Sequence, residues 1–328
     1  MSKPVFEEVL PQLFRAEIPL PKNPLKTINS YIIKDKERNL VIDTGMNLEE
    51  CHTAMMEALG ELQIDLHRTD FYITHMHVDH LGLVGRLALP SSRIYFNHPD
   101  AEIVALNNVW EFLFQAAARH GFPHKELKEA LARHPANRYS STGPLNFELL
   151  REGDRIAYGS YNFTCIHTPG HTPGHLCLYE PSRRLLVSGD HILGDITPNI
   201  SAWDDTDNSL QVYLQSLDKV YRMELDLILP GHRSIVSDCR GRILELKKHH
   251  EERLQEVLSI IKSAGAGSAY EVAAQMEWDI DARDWEEFPL TQKWFATGEA
   301  VAHLRYLEET GAARRKERNG TIIFQISS

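Results

Sequence analysis

The chain predicts a layered α/β fold followed by a small helical domain that closes in a β-wing, on three observations. Apolar runs of strand length alternate with helical patterns through the first two thirds of the sequence. Several of those strand runs end in a histidine or an aspartate, which gathers polar groups at one edge of an apolar layer. From about Arg240 the pattern changes to long helical runs and a final hairpin. Strand–helix alternation is the pattern of packed layers rather than of a bundle.

Taken in order, residues 14–18, 29–33 and 39–43 read as strands, the last ending at Thr44-Gly45. Residues 48–62 read as a helix with Met55, Leu59 and Leu62 on one face. A strand at 71–73, a helical pattern at 80–89 and a strand at 93–96 follow. Residues 99–140 are helical and rich in large apolar groups, and they read as an insertion between strand-rich regions. Strands resume at 161–166, 176–179 and 184–187, then a helix at 210–221 and a short strand at 227–230. The tail predicts helices at 243–262, from Ser268 as a cap for Glu271, and at 297–311, with a hairpin over 313–326 turning at Asn319-Gly320. The domains are therefore 1–239, with the helical insertion at about 99–140, and 240–328.

Composition bounds the function. A net charge of −11 over 328 residues argues against a general nucleic-acid or anionic-membrane surface. The N-terminal twenty residues carry acids early and lack the apolar core of a leader, and no later run is long enough to span a membrane. Cys51, Cys165, Cys177 and Cys239 form no CxxC pair and read as reduced and buried. The cytoplasm is the expected location. A Cys165–Cys177 bridge between neighbouring strands is geometrically conceivable.

The chemistry is concentrated in Thr74-His75-Met76-His77-Val78-Asp79-His80, directly after a strand. Three imidazoles and a carboxylate this close supply ligands for metal, and only a bend at a strand end lets all four converge. Three more strand ends carry the same ligand types: His167, His171 and His175 in a Pro/Gly turn, Asp190 after Ser188-Gly189, and His232 after Pro230-Gly231.

In this order, THMHVDH, GHTPGH at 170–175, SGD at 188–190 and PGH at 230–232 resemble the metal motifs of the metallo-β-lactamase superfamily, and Asp43-Thr44-Gly45 resembles a structural turn of that family. The resemblance covers about residues 10–235 and implies a four-layer αβ/βα sandwich of two mixed sheets. It implies one ion on His75, His77 and His171, another on Asp79, His80 and His232, and Asp190 bridging the two. Asp43 and His175 are then expected behind the ligands, and His191 either touches substrate or faces solvent. Two divalent ions are implied, zinc first, with iron and manganese also compatible with a His/Asp set. The implied reaction is hydrolysis, with Asp79 and Asp190 as the catalytic carboxylates: a hydroxide activated by the ions attacks a carbonyl carbon or a phosphorus.

The tail resembles the winged-helix-like domain of one group within the superfamily, the β-lactamase-like protein 2 neighbourhood. Relatives there include endoribonucleases, so a phosphodiester is the alternative substrate, and a binding module acting through the tail is a third reading. Residues 233–328 hold 14 basic and 16 acidic side chains, and the one basic run, Arg314-Arg315-Lys316-Glu317-Arg318, sits on the expected wing. Nucleic acid is accordingly not the favoured partner. Leu244, Leu254, Val257, Leu258, Ile261, Leu304 and Leu307 offer apolar faces for packing or a homodimer. Trp110, Phe112, Phe114 and Phe122 in the insertion either wall a cleft or form the buried face of a covering helix. The favoured substrate is a small ester, thioester or lactone with an apolar acyl or aryl group.

Overall fold

The computed structural model describes residues 6–106, 109–141, 145–202, 208–280 and 282–327. Residues 1–5, where the stretch read against a leader begins, and 107–108, within the insertion, lie outside the described residues.

The chain opens with β1 (Phe6–Leu10), β2 (Leu13–Pro19), β3 (Thr27–Ile33) and β4 (Asn39–Ile42), an antiparallel meander. Helix α1 (Glu49–Glu61) crosses to β5 (Thr69–Tyr72), which lies parallel to β4. Two short helical turns, α2 (Val78–Leu81) and α3 (Val84–Leu87), replace the single helix expected at 80–89. They break where Leu83 N–H turns aside to donate to Gly45 O at 2.8 Å. After β6 (Ile94–Asn97) come the insertion helices α4 (His98–Ala105), α5 (Val109–Arg119), α6 (His124–Arg133) and α7 (Pro135–Tyr139). β7 (Phe147–Leu150) then completes a seven-stranded mixed sheet in the order β1-β2-β3-β4-β5-β6-β7.

The second sheet is built from β8 (Arg155–Tyr158), β9 (Tyr161–His167), β10 (Leu176–Glu180) and β11 (Leu185–Gly189). After α8 (Ser209–Tyr221), β12 (Leu227–Pro230) adds parallel to β11, giving the order β12-β11-β10-β9-β8. Strand periodicity sends alternate residues to opposite faces. Tyr31, Ile33, Leu40, Ile42 and Tyr72 therefore meet Tyr161, Phe163, Cys165, Leu178 and Val187 in the core between the sheets. Their neighbours Ile32, Val41 and Phe71 pack outward against α1 to α3. The result is the expected αβ/βα sandwich.

The tail comprises α9 (Cys239–Ala264), α10 (Ala269–Ala273), α11 (Leu290–Glu309), β13 (Ala313–Arg318) and β14 (Thr321–Ile326). Ser268 and Glu271 form the expected capping box. Asn319 and Gly320, with φ of 54° and 79°, turn the hairpin between Arg318 and Thr321. This small domain shares its core with the sandwich: Cys177, Leu186 and Ile228 lie in one apolar cluster with Leu246, Val257, Val272, Leu304 and Phe324. Of the faces read as dimerisation candidates, Leu254, Val257, Ile261, Leu304 and Leu307 are buried within the chain, and Leu244 is exposed. All four cysteines are free and buried. No described helix is long and apolar enough to cross a membrane.

Candidate metal centre

The polar strand ends converge at one edge of the sandwich. From the first sheet come Asp43 after β4 and the loop after β5 that carries His75 to His80. From the second come His171 and His175 between β9 and β10, Asp190 after β11 and His232 after β12. Three overlapping groups form, each with its ligand atoms within 4.8 Å of one another: His75, His77 and His171; His75, His80 and Asp190; Asp79, His80 and His232. The seven residues expected as ligands thus meet in one place.

Their rings are oriented from behind. His171 Nδ1 donates to Asn199 O at 2.8 Å, and His232 Nδ1 to Thr27 O at 2.7 Å. His80 Nδ1 donates to Asp43 Oδ2 at 2.7 Å. In each case Nε2 is left pointing into the centre, where it is buried and has no hydrogen-bond partner, as is Asp190 Oδ1. His80 Nε2 lies 3.4 Å from Asp190 Oδ1, while His171 and His232 Nε2 lie 3.6 Å and 3.5 Å from Asp190 Oδ2. Asp79 Oδ2 sits 3.4 Å from His232 Nε2. Buried ring nitrogens and carboxylate oxygens turned toward one another at one point, several of them without a hydrogen-bond partner, fit metal ions.

Electrostatics agree with that fit. Burial pushes His75 well below the ordinary histidine range, lowers His171 and takes His77 to about 3, so these rings are neutral ligands. Burial opposes charge on His80 too, but the carboxylates of Asp43 and Asp190 overcome it and hold its pKa well above normal. Burial likewise opposes ionisation of Asp79, yet His232 and His80 bring it down to about 2. The pocket therefore favours positive charge on the Asp79, His80 and Asp190 side.

The supporting residues divide between those the sequence indicated and those it did not. Asp43 also accepts Thr74 N and Thr74 Oγ1, each at 2.9 Å. His175 Nε2 accepts the Asp190 backbone N–H at 3.1 Å, and its Nδ1 bonds Thr168 Oγ1 at 2.9 Å. His167 Nε2 donates to Pro173 O at 2.9 Å and steadies the ligand turn. His191 reaches neither substrate cleft nor solvent: its fully buried ring packs against Tyr213, and burial lowers it to about 3. Asp100 carried no sequence signal. It joins both histidine loops, accepting Met76 N at 2.9 Å, Thr172 Oγ1 at 2.8 Å and Gly174 N at 2.7 Å. Close packing extends to the backbone, since a Cβ on Gly231 would stand 2.5 Å from Asp190 Oδ1 and 2.8 Å from His80 Cε1.

A cleft of about 420 Å³ opens on His77, Asp79, His171 and Asp190. Of the four insertion aromatics, Phe122 lines it; Trp110 and Phe114 pack beside a small apolar cluster, and Phe112 is exposed. Further apolar lining comes from Leu113, from Met46, Leu193 and Ile196 of the sandwich, and from Trp278, Trp294 and Phe295 of the tail. Among the described residues, no side chain of the β13–β14 wing lines the cleft, and Lys22 is the one Lys or Arg in its lining.

These motifs and this fold match a known family. The sequence profile of the "Metallo-beta-lactamase superfamily" covers residues 24–232, and that of the "Metallo-beta-lactamase-like, C-terminal domain" covers 285–327. The chain belongs to the metallo-β-lactamase superfamily and is a metallo-hydrolase. A metallo-beta-lactamase family protein from Thermus thermophilus superposes with a TM-score of 0.81 at 27% identity, over 97% of this chain and 100% of that one. The beta-lactamase-like protein 2 homolog of Drosophila melanogaster is 28% identical over 71% of this chain and 68% of its own. The human acyl-coenzyme A thioesterase MBLAC2 is 23% identical over 62% and 72%. The lactamase-like protein aptB of Emericella nidulans is 24% identical over 74% of this chain, which spans 62% of aptB.

Proposed function

We propose that this protein is a dinuclear hydrolase of esters, thioesters or lactones whose acyl or aryl portion is apolar. The observation that carries this reading is the cleft. Its wall beside Asp79 and Asp190 is built from Leu113, Phe122, Trp278, Trp294 and Phe295, with one cationic side chain, Lys22, among the described lining residues. A nucleic-acid backbone calls for a basic track, which this lining does not provide. The human relative's name, an acyl-coenzyme A thioesterase, points the same way.

In this reading His75, His77 and His171 would hold one ion and Asp79, His80 and His232 the other, with Asp190 a further ligand grouped with His75 and His80. Zinc suits this ligand set. When bound, such a pair supplies Lewis acidity and lowers the pKa of water at neutral pH. The chain's own contribution is positional. Asp79, ionised and open to the cleft, accepts a hydrogen bond from an incoming water and orients it toward a carbonyl carbon. The aromatic wall desolvates and aligns the acyl group, so binding energy is spent on orientation. Division of the chain at residues 239 and 240 is part of this reading, with the tail completing the cleft. The four buried free cysteines support a cytoplasmic setting.

The test is a side-by-side assay of zinc-loaded protein on aryl and acyl thioesters, a lactone and bis(p-nitrophenyl) phosphate. Acyl hydrolysis abolished in Asp190→Ala is the expected result, with Trp294→Ala raising KM for bulky acyl groups more than for acetyl. Phosphodiester cleavage that depends on Asp190, without acyl hydrolysis, reverses the assignment.

A further inference from the structure

Helix α11 reaches the metal centre through one short relay, and we propose that Glu299 is a positioning residue for His171, so that the tail sets the affinity of one of the two metal positions. The inference rests on the dinuclear reading and adds to it a control point outside the sandwich.

The relay is geometric. His171 Nδ1 donates to the backbone carbonyl of Asn199 at 2.8 Å, which turns Nε2 to the centre. Asn199 Nδ2 donates to Glu299 Oε2 at 3.0 Å and to Phe295 O at 3.4 Å. Ser201 Oγ donates to Asn199 Oδ1 at 2.6 Å. The Asn199 side chain is thus engaged on both its nitrogen and its oxygen by groups that hold the loop in place. Backbone contacts hold the same loop, since Ala202 N–H donates to Gly298 O at 3.3 Å. A Cβ on Gly298 would stand 2.7 Å from Ser201 Oγ, so a glycine inside α11 is what lets the loop lie against the helix.

Glu299 is itself fixed. It is 8% exposed, and Arg253 Nε of α9 lies 3.6 Å from its Oε1. Arg253 in turn donates to Glu277 O at 2.8 Å and lies over the Trp278 ring at 4.4 Å. A buried carboxylate is retained where it has partners to engage, and here those partners are the loop on one side and α9 on the other. Partners of the second ring nitrogen orient a metal-binding histidine and raise its basicity, and their loss typically costs about 10–100-fold in metal affinity. His80 and His232 take their orienting bonds from Asp43 and Thr27 O instead, so the effect falls on the position that His171 completes.

The experiment is a zinc titration of the metal-stripped full-length protein against a chromophoric chelator, with thermal unfolding of the metal-free proteins measured alongside. The parent is expected to hold two equivalents. E299A is expected to hold one as the parent does and the other about tenfold or more weakly. E299Q, whose side-chain oxygen still accepts from Asn199 while its amide opposes Arg253, is expected to keep the parent's zinc affinity although its unfolding temperature falls. A folded E299A with two undiminished equivalents overturns the proposal. So does a parallel fall of metal affinity and unfolding temperature in both variants, which is the pattern of packing alone. Should E299A not fold, S201A takes its place: weakening of the same single equivalent supports the relay, and undiminished binding overturns it. A parent that binds no zinc counts against the centre itself, an outcome distinct from failure of the relay.

Discussion

Replacing Asp43 by Asn separates the geometry of the metal centre from the protonation that makes it work. Asp43 has a φ of 57°, a left-handed conformation that Asn adopts readily, so the backbone is undisturbed. Its Oδ1 accepts Thr74 N at 2.9 Å, and its Oδ2 accepts Thr74 Oγ1 at 2.9 Å and His80 Nδ1 at 2.7 Å. An amide cannot play both parts. With its oxygen on Thr74 N, its NH₂ faces His80 Nδ1 and drives the proton of His80 to Nε2. That atom is turned toward Asp190 and then has no lone pair to offer an ion. With the amide flipped, the buried Thr74 N–H meets another donor. A hydrogen bond to a charged group contributes about 1.5–3 kcal/mol, which is about 10- to 150-fold in an equilibrium constant. Zinc titration against a chelator is expected to show one of two equivalents weakened by that factor in Asp43→Asn, with circular dichroism unchanged. Two equivalents at parental affinity would refute tautomer control by Asp43.

Other perturbations test separate parts of the site. Asp100→Asn removes an acceptor from Gly174 N or from the Met76 N and Thr172 Oγ1 pair. It should lower unfolding free energy by about 2–4 kcal/mol in urea, and an unchanged midpoint contradicts its role as the tie between loops. Gly231→Ala forces a methyl toward Asp190 Oδ1 and His80 Cε1 and should weaken zinc binding by about tenfold or more with secondary structure intact; parental affinity shows that the site yields. Burial lowers His303 from 6.5 to about 4 in the fold. Keeping it neutral therefore stabilises the fold fully above pH 6.5, and the unfolded chain gains its proton first as the pH falls. Up to about 3 kcal/mol should be lost between those values. His303→Gln should make the fall of the urea midpoint across that window shallower, the other buried histidines keeping the remainder, and an unaltered slope assigns none of it to His303.

The ligands were legible in the sequence because the chemistry is written locally: His75, His77, Asp79 and His80 share one loop, and each remaining ligand ends an apolar run. Asp100, Asn199 and Glu299 were not, since each is an isolated polar residue whose part depends on loops far away in the chain. The strands β1, β7 and β8 were missed for a related reason. They lie at sheet edges, where one neighbour and one wet face leave little apolar signal. Which aromatics wall the cleft stays open in the sequence because an aromatic on a helix reads the same whether its ring meets core or substrate. Phe112 looked equivalent to Phe122 but is exposed, while Trp294 and Phe295, unmarked in the sequence, line the cleft. The tail reads as a small domain of its own because its pattern changes near Arg240, but which surface its apolar faces meet is set by residues far away in the chain: they join the core of the second sheet.

Each of the three ligand groups takes residues from both sheets. Neither half of the chain can grip an ion alone, and an ion once gripped acts as a rivet between them, closing loops of roughly a hundred residues or more. Its free energy of binding is then also free energy of folding, growing with the logarithm of free metal above the dissociation constant. A metal-stripped chain should therefore unfold at lower urea than the zinc-loaded chain, by a margin that widens with free zinc.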